Sequence, residues 1–404
     1  MIILFIFLVF LDIYAYRSVI QGYPVIGDKI ALFWVLNILV YLYFITIYLD
    51  TTEYIMHTIN IYLRGFVFIY ILSKTVLLFP IIIEDITRGL KFLIGKISSN
   101  GDEITLTRGK FVKNVSIVLA AFPLVLLGHG MVRNVFRYRI RKEKIRISNL
   151  PREFEGFKIV QISDIHAGTF PRKKPILRGI RMINNLNPDL FVFTGDLVNS
   201  TASEIDPFID YFSQIKANYG RYSIYGNHDY GDYHDWKDLD EKLQNDRDFI
   251  EKHQRLGWKL LKNESAIINK EGVKLAVIGV ENYSTIDRFP RKGDLKVAAE
   301  GTEEADFKLL LTHDPTHWEA EVTNKYSDID LTLSGHTHGF QFGIEIPGVF
   351  RWSPSQYIYK QWAGLYKSNN QYLYVNRGFG VLGYPGRVGI LPEITLIELI
   401  RDEN

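Results

Sequence analysis

Two histidines separated by a single residue, His336 and His338, are the first side chains in this 404-residue sequence whose types and spacing could do chemistry. The apolar residues before them predict a short buried strand that ends at Gly335. In an extended loop at a strand end, this spacing lets both imidazoles face one cavity and reach adjacent cations. Gly335 and Gly339 permit tight turns that β-carbons would hinder. Paired loop histidines without a metal are the alternative, so the metal interpretation depends on other groups in the chain.

Polar residues follow four other apolar, strand-like segments in the same way. Binding sites in open α/β sheets collect outside the carboxyl ends of strands, so five strand ends would deliver Asp, His and Asn side chains to one rim. Five of the ten histidines lie in these positions, a clustering that isolated structural histidines would not explain. The residues are Asp164 and His166 after KIVQIS, Asp196 and Asn199 after LFVFT, Asn227, His228 and Asp229 after RYSIY, His313 and Asp314 after KLLLT, and His336 and His338 after LTLS.

A pair of divalent cations suits this set of ligands. Imidazole and carboxylate favour Mn, Fe or Zn, and the absence of cysteine removes thiolate ligands. Two metals roughly 3.5–4 Å apart can hold both ends of an in-line displacement at phosphorus and lower the pKa of a shared water, which then supplies hydroxide near neutral pH. A carboxylate that bridges the cations would keep them at that separation. The pattern therefore predicts metal-assisted phosphoester hydrolysis.

The same segments resemble the calcineurin-like metallophosphoesterase superfamily over about Phe157 to Leu396. The motifs that carry the resemblance are D-x-H, G-D-x-x-N, G-N-H-D, T-H-D and G-H-T-H. The resemblance implies an α/β fold, a two-sheet β-sandwich flanked by helices. It also implies a phosphoesterase that uses two divalent metal ions, with a metal-bridging hydroxide that attacks phosphorus in line.

By matching position, the resemblance implies a role for each polar residue. His228 would lie over the scissile bond, either as the acid for the leaving group or as a donor to the phosphate, and Asp229 would orient His228. The first metal would be bound by Asp164, His166 and His338, the second by Asn227, His313 and His336, and Asp196 would bridge the two.

One departure from the family pattern indicates which branch of the superfamily the sequence resembles. Protein serine/threonine phosphatases of this superfamily continue the G-D motif as G-D-x-x-D-R-G, whereas here Asn199 is followed by Ser200 and Thr201. The sequence instead resembles the membrane-anchored bacterial branch, in which Y-V-N-R-G-x-G follows the metal histidines. Asn376 and Arg377 of that motif are candidate substrate-binding residues, and a structural ion pair is the alternative for Arg377.

The catalytic part of the sequence alternates short strands with helical stretches, which indicates βαβ units and parallel pairing. Helices are predicted at Lys174–Asn185 and Glu204–Ala217, and a surface helix and loop between Gly231 and Trp258. Long helices are fewer after that, which suggests a second sheet. We therefore expect a catalytic domain over 157–404, preceded by a linker and leading strand over 133–156.

The first third of the sequence is apolar and aromatic, which predicts an all-α transmembrane region of about four helices over 1–132. Asp12 and Lys74 would be costly in mid-membrane unless they pair, or unless each lies near an interface. The first segment is predicted as a retained helix because no small-residue signal-peptide cleavage site follows it. The four segments are Met1–Tyr16, Ile30–Leu49, Phe66–Ile83 and Val115–Val132.

The predicted localisation is a multi-pass cell-membrane protein whose catalytic domain lies outside the cytoplasm. The predicted loop 84–114 is rich in basic residues, whereas few follow Asp50, so the positive-inside rule places 84–114 in the cytoplasm. The basic stretch Arg133–Arg146 favours a cytoplasmic location for the end of the fourth helix. However, its alternation of basic and apolar residues is typical of a strand, so its charges can belong to a folded domain. The segment Thr107–Lys113 resembles a twin-arginine export signal with its second arginine lost.

The predicted partners are the lipid bilayer and a membrane-associated or lipid-linked phosphoester. A phospholipid, an undecaprenyl-type phosphate and a UDP-diacylglucosamine-type pyrophosphate are candidates, and the last would require a cytoplasmic site. The net charge of +2 gives no reason to expect nucleic acid, and the sequence indicates no protein partner. The alternative function is a catalytically weak membrane receptor or scaffold, which the complete ligand set disfavours.

Overall fold

The chain forms two compact units, Met1–Val132 and Arg133–Asn404, in a computed structural model. The residues that the structure describes are 2–18, 30–49, 56–97, 110–346 and 348–402.

The unit Met1–Val132 is helical. Among the described residues, three spans are long and apolar enough to cross a membrane: Ala31–Tyr48, His57–Ile94 and Phe111–Phe136, the last of which ends four residues beyond this unit. The first helix has 17 residues and is not among them. The helices in the described part of this unit are Ile2–Ser18, Ile30–Tyr48, His57–Ile97 and Lys110–Val132.

The third helix extends beyond the predicted segment Phe66–Ile83. Residues 84–97, which were predicted as part of a loop, continue this helix, so that prediction is wrong. The continuation contains no proline, and an i,i+3 pair between Asp85 and Arg88 supports it. The predicted side of the membrane and the resemblance to an export signal depend in part on Asp50 and residues 98–109. These residues lie outside the described part of the chain.

Asp12 and Lys74 form an ion pair between two of these helices, as one of the alternatives predicted. Both side chains are buried. The Lys74 ammonium also donates to Asn37 Oδ1 at 2.7 Å, and the Tyr41 hydroxyl donates to the Asp12 carboxylate. Three helices therefore meet at a polar cluster whose opposite charges compensate each other.

Two six-stranded sheets and one two-stranded hairpin make up the strands described in the unit Arg133–Asn404. The first sheet has the spatial order β1 (Arg139–Ile147), β14 (Glu393–Arg401), β2 (Lys158–Ile162), β3 (Leu190–Phe193), β4 (Arg221–Ser223) and β5 (Lys259–Leu260). The second has the order β12 (Gly364–Ser368), β13 (Gln371–Val375), β9 (Leu331–Ser334), β8 (Phe307–Leu311), β7 (Val273–Gly279) and β6 (Glu264–Lys270). The hairpin joins β10 (Ile344–Ile346) to β11 (Phe350–Trp352).

The two sheets pack face to face because the strands alternate apolar side chains between two cores. In β3, Leu190 and Val192 join the core between the sheets, whereas Phe191 and Phe193 join the core under the flanking helices. In the same way, β7 contributes Leu275 to the shared core. The α/β sandwich flanked by helices is confirmed. The helices of this unit are Lys174–Asn184, Ile209–Phe212, Leu239–Leu256, Leu295–Ala298 and Thr323–Lys325.

The predicted helix Glu204–Ala217 is wrong in extent. The structure has a 3₁₀ stretch, Ala202–Phe208, and only one short α-helical turn, Ile209–Phe212. Pro207 has no N–H to donate, and the backbone of Phe208 leaves the helical region at φ −120° and ψ −7°, so a continuous helix is interrupted here.

Candidate metal centre

The predicted ligands lie beyond the carboxyl ends of strands in both sheets. Strands β2, β3 and β4 run parallel in the first sheet, and β7, β8 and β9 run parallel in the second. The residues after these strands meet across the sandwich, where the backbone N–H of His336 donates to both carboxylate oxygens of Asp164 at 3.1 Å each. The first sheet therefore supplies part of the site and the second supplies the rest.

The backbone at the site is strained. Five candidate ligands have φ in the left-handed region, between +47° and +70°, which residues with a β-carbon rarely adopt. Such strain persists only where the surroundings enforce it, and it concentrates at functional sites. The five residues are Asp164, His166, Asp196, His336 and His338.

One cluster consists of Asp164, His166 and His338, each of which offers a ligand atom within 4.8 Å of the others. The Nε2 atoms of His166 and His338 lie 3.0 Å apart, and Nε2 of His338 lies 3.2 Å from Oδ1 of Asp164. All three side chains are buried. Two imidazole nitrogens and a carboxylate oxygen thus converge on one point.

A second cluster consists of Asp196, His313 and His336, again within 4.8 Å. Nε2 of His313 lies 3.2 Å from Oδ2 of Asp196 and 3.2 Å from Nδ1 of His336. Nδ1 of His313 lies 2.7 Å from the carbonyl oxygen of Thr194 and must be the donor there. The carbonyl thereby fixes the tautomer of the neutral ring, in which Nε2 is free to bind a cation.

Asp196 contacts both clusters. Its Oδ2 atom lies 3.5 Å from Nε2 of His166 in the first cluster and 3.2 Å from Nε2 of His313 in the second. Its Oδ1 atom accepts the backbone N–H of His228 at 2.9 Å. A carboxylate held in this way can bind a cation from each side.

The protonation states of most of these groups already suit metal ligation. Burial lowers the pKa of His166 well below its usual value and also lowers that of His336, so both rings are neutral. Burial raises the pKa of Asp196, but His313 and His228 outweigh it and hold that pKa well below its usual range. His313 differs, since Asp196 and Asp164 outweigh burial and raise its pKa to about 10.

Asn227 supplies an independent sign of a cation. Its side chain is buried, and its Oδ1 atom has no hydrogen-bond partner among the described residues. Its Nδ2 atom donates to the Tyr233 hydroxyl at 3.0 Å, which identifies Oδ1 as the free acceptor. A buried amide oxygen without a donor is costly unless a cation satisfies it. Asn227 and the two clusters therefore fit a pair of divalent cations.

Asp229 does not orient His228, and that prediction is wrong. Its two carboxylate oxygens accept four backbone N–H groups, from Asp196, Leu197, Val198 and Gly226, at 2.8–3.3 Å. Nδ1 of His228 instead lies 2.7 Å from the carbonyl oxygen of Asn199. Asp229 thus ties the loop after β3 to the loop after β4.

Asn376 and Arg377 are not among the described residues that line the cavity over the clusters. Arg377 is buried, and its guanidinium pairs with Glu393 at 2.6 Å and Glu345 at 2.8 Å. The Asn376 amide donates to Thr395 at 2.9 Å. These contacts support the structural ion pair that was the alternative for Arg377, whereas substrate binding by Asn376 and Arg377 stays a prediction.

A cavity of about 550 Å³ lies over the clusters. Its wall includes Tyr359 and two residues that the sequence analysis did not select, Tyr233 and Arg288. The Tyr233 ring packs 4.3 Å from that of His228, and the Tyr359 hydroxyl lies 2.9 Å from Nε2 of His336. Arg288 lies nine residues beyond the end of β7, so the strand-end rule that predicted the candidate ligands does not select it.

Comparison with protein families gives two matches. Residues 157–340 match the family "Calcineurin-like phosphoesterase", and this span contains all the candidate ligands. Residues 1–135 match the family "Probable Calcineurin-like phosphoesterase, transmembrane domain".

Individual relatives agree with these matches. The chain is similar to the uncharacterized metallophosphoesterase YkuE of Bacillus subtilis, with 30% identity over 73% of this chain and 98% of that protein. It is 29% identical to a transmembrane protein with metallophosphoesterase domain from Danio rerio, over 74% of this chain and 66% of the relative. Among solved structures, the NAD nucleotidase of Haemophilus influenzae has a TM-score of 0.38 and 17% identity, over 55% of this chain and 45% of that one. That likeness is too low to bear on the activity.

Proposed function

The chain belongs to the calcineurin-like phosphoesterase family and carries its transmembrane domain, and from this premise we propose that it hydrolyses a membrane-associated phosphoester at the two-cluster centre. The metal-dependent phosphoesterase activity follows from the family. The number of cations, the roles of the residues and the class of substrate are the proposal.

The observation that carries the proposal is the position of Asp196, whose Oδ2 atom lies within 3.5 Å of a histidine from each cluster. When bound, two divalent cations of the Mn, Fe or Zn type would polarise the phosphoryl oxygens and acidify a water for in-line attack. Asp164, His166 and His338 would hold one cation, with Asn227, His313 and His336 holding the other.

His228 acts at the leaving group in this proposal. It lines the cavity beside Asp196 and Asn227, and its ring is fixed by the Asn199 carbonyl on one side and the Tyr233 ring on the other. A ring held in this way can keep a proton at Nε2 for the departing oxygen or donate to the phosphate. Arg288, at the cavity wall, supplies positive charge for an anionic substrate.

The membrane-spanning helices support a substrate at the lipid surface. A phospholipid, an undecaprenyl-type phosphate and a UDP-diacylglucosamine-type pyrophosphate all join a phosphoester or phosphoanhydride to a lipid. We place the catalytic unit outside the cytoplasm, because basic residues are concentrated at 84–114, around the end of the third helix and the start of the fourth. A UDP-diacylglucosamine-type substrate would require the opposite side, so it is the candidate that a cytoplasmic location would favour.

Turnover by the full-length protein in detergent tests the proposal. With added Mn²⁺, the protein should hydrolyse p-nitrophenyl phosphate or its bis ester, and Asp196→Asn should lower kcat by about 10³-fold or more, because it removes the charge shared by both clusters. Asp235→Asn, an exposed carboxylate in the same unit, is the matched control and should keep full activity. Turnover retained by Asp196→Asn would contradict the bridging role. Tight metal binding without turnover would favour the receptor or scaffold.

A further inference from the structure

The hairpin β10–β11 has one apolar face and one charged face. Ile344 pairs with Trp352 and Ile346 with Phe350, and directly opposed residues of an antiparallel pair share a face. On that face, Ile344, Ile346 and Phe350 are each about half exposed. The pair between them, Glu345 and Arg351, lies on the other face.

The charged face is the one that holds the hairpin to the protein. Glu345 forms ion pairs with Arg377, at 2.8 Å, and with Arg141 of β1. The Arg351 guanidinium donates to the carbonyl of Ala363 at 2.6 Å. The hairpin thus turns Glu345 inward and exposes three of its four apolar side chains, whereas a ribbon on a water-facing surface would expose its polar side chains.

The apolar face belongs to a larger patch, defined by the exposed apolar side chains of residues 340–358 and called the apolar rim below. Among the described residues of the unit Arg133–Asn404, eight of the fourteen large apolar side chains that are exposed lie in this stretch. A concentration of this kind marks an interaction surface. The eight are Phe340, Phe342, Ile344, Ile346, Val349, Phe350, Tyr357 and Ile358.

The apolar rim is continuous with the cavity over the metal ligands. Phe340 and Gln341, which follow His338 and Gly339, line the cavity, as does Tyr359, which comes directly after the other end of the rim. The Ser353 hydroxyl donates to the carbonyl of Gly339 at 2.7 Å and so ties the end of the hairpin to the loop of the ligands. Whatever covers the rim therefore lies beside the cavity.

We propose that the apolar rim inserts into the interfacial layer of a lipid bilayer and so presents the cavity to a phosphoester in that layer. A bilayer is the occupant because the described part of the chain contains three helices long and apolar enough to cross one. Trp352 and Tyr357 at the rim join an apolar ring to a polar atom, and such residues concentrate at membrane interfaces. The insertion itself does not depend on the proposed function; its benefit for a lipid-linked substrate does.

Site-specific fluorescence tests the insertion directly, because the chain has no native cysteine. Val349→Cys, at a side chain that is 79% exposed, is labelled with an environment-sensitive fluorophore in the full-length protein. In vesicles of phosphatidylcholine and phosphatidylglycerol, its emission should shift to the blue, and lipids with brominated acyl chains should quench it by about half or more.

Ser327→Cys is the matched control, since it is exposed near the amino end of β9, the end opposite the ligands. Its label should report water and resist quenching. A Val349 label that remains in water would overturn the proposal. So would a blue-shifted label that brominated lipids do not quench, because a protein surface would then cover the rim.

Activity separates this inference from the proposed function. Val349→Asp with Phe350→Asp should leave hydrolysis of soluble bis-p-nitrophenyl phosphate unchanged and lower hydrolysis of a vesicle-embedded phosphoester about tenfold. Ile267→Asp, at an exposed apolar residue of β6, should change neither rate. Equal loss on both substrates would contradict the role of the rim. A wild-type protein inactive on both would defeat the proposed function while leaving the quenching result intact.

Discussion

The Nδ1 atom of His228 lies 2.7 Å from the backbone carbonyl oxygen of Asn199. Because a carbonyl oxygen only accepts hydrogen bonds, Nδ1 carries the hydrogen, and Nε2 is the nitrogen that can gain or lose a proton. The loop after β3 therefore fixes both the tautomer and the orientation of the ring, a task predicted for Asp229. This arrangement suits a proton donor to the leaving group, and it can be tested apart from the metal ligands.

His228→Gln should affect substrates according to their leaving groups. General acid catalysis contributes about 10²–10⁴-fold for a poor leaving group such as an alkoxide, and little for p-nitrophenolate, which departs without a proton. We therefore expect a large loss of kcat on an alkyl phosphoester and a small one on the p-nitrophenyl analogue. Equal losses on the two substrates would instead identify His228 as a donor to the phosphate.

Asp229→Asn should destabilise the unit that contains the site. The aspartate accepts four backbone N–H groups, whereas an asparagine has one acceptor oxygen and turns an NH₂ group toward the remaining donors. Buried backbone N–H groups that lose their acceptor lower the free energy of unfolding by about 2–4 kcal/mol in total. Thermal unfolding of the full-length protein measures it, with Asp235→Asn as the reference. An unchanged melting temperature would contradict the structural role.

Residue type and position at strand ends were enough to predict which side chains come together in the two candidate clusters, because few side chains bind cations and parallel strands bring their carboxyl ends together. The same information could not predict the hydrogen-bond partners of Asp229 or the ion-pair partners of Arg377. Adjacency to His228 does not show that both Asp229 oxygens are used by backbone N–H groups of another loop. The partners of Arg377, Glu345 and Glu393, come from different strands, and only the folded chain brings them together.

The apolar rim was equally hidden in the sequence. Aromatic residues at 352–366 are compatible with a core, a substrate wall or a membrane surface. The structure divides them, since Tyr359 and Trp362 are buried whereas Tyr357 is 76% exposed. Pairing between β10 and β11 decides which side chains face outward, and the sequence period does not reveal which face the rest of the unit covers.

Metal affinity should rise with pH. The pKa of His313 is raised to about 10 by its acidic neighbours, so at neutral pH without metal the ring holds a proton that a cation must displace. One displaced proton increases the apparent affinity about tenfold for each unit of pH below that pKa. Calorimetric titration with Mn²⁺ in buffers of different ionisation enthalpy counts the protons released. A pH-independent affinity above pH 7 would contradict the proton on His313.

Breaking the Asp12–Lys74 pair should be harmful, and removing both charges should be tolerated. Lys74→Met leaves a buried carboxylate without its cation, which costs about 3–5 kcal/mol for a buried pair. Asp12→Leu combined with Lys74→Met removes both charges and should recover most of the melting temperature lost in the single variant. Full-length protein in detergent gives both values. A double variant as unstable as the single one would mean that the charges are needed for more than mutual compensation.

Arg288 should act on substrate binding more than on turnover. It lines the cavity together with Tyr359 and lies over the Phe289 ring at 4.6 Å from the centroid. Tyr359 in turn contacts His336 at 2.9 Å. A guanidinium in this position attracts an anionic ester without contacting the candidate metal ligands directly, so Arg288→Gln should raise KM about tenfold and change kcat little.

Arg291→Gln provides the comparison, because its guanidinium lies over Tyr283 and it is not among the described residues that line the cavity. Its kinetics should match the wild type. Added salt should weaken substrate binding in the wild type more than in Arg288→Gln, since screening acts on the charge that the variant has already lost. If Arg288→Gln lowered kcat and left KM unchanged, the arginine would stabilise the transition state. It would then be a catalytic residue, like His228, and not a residue that only binds the substrate.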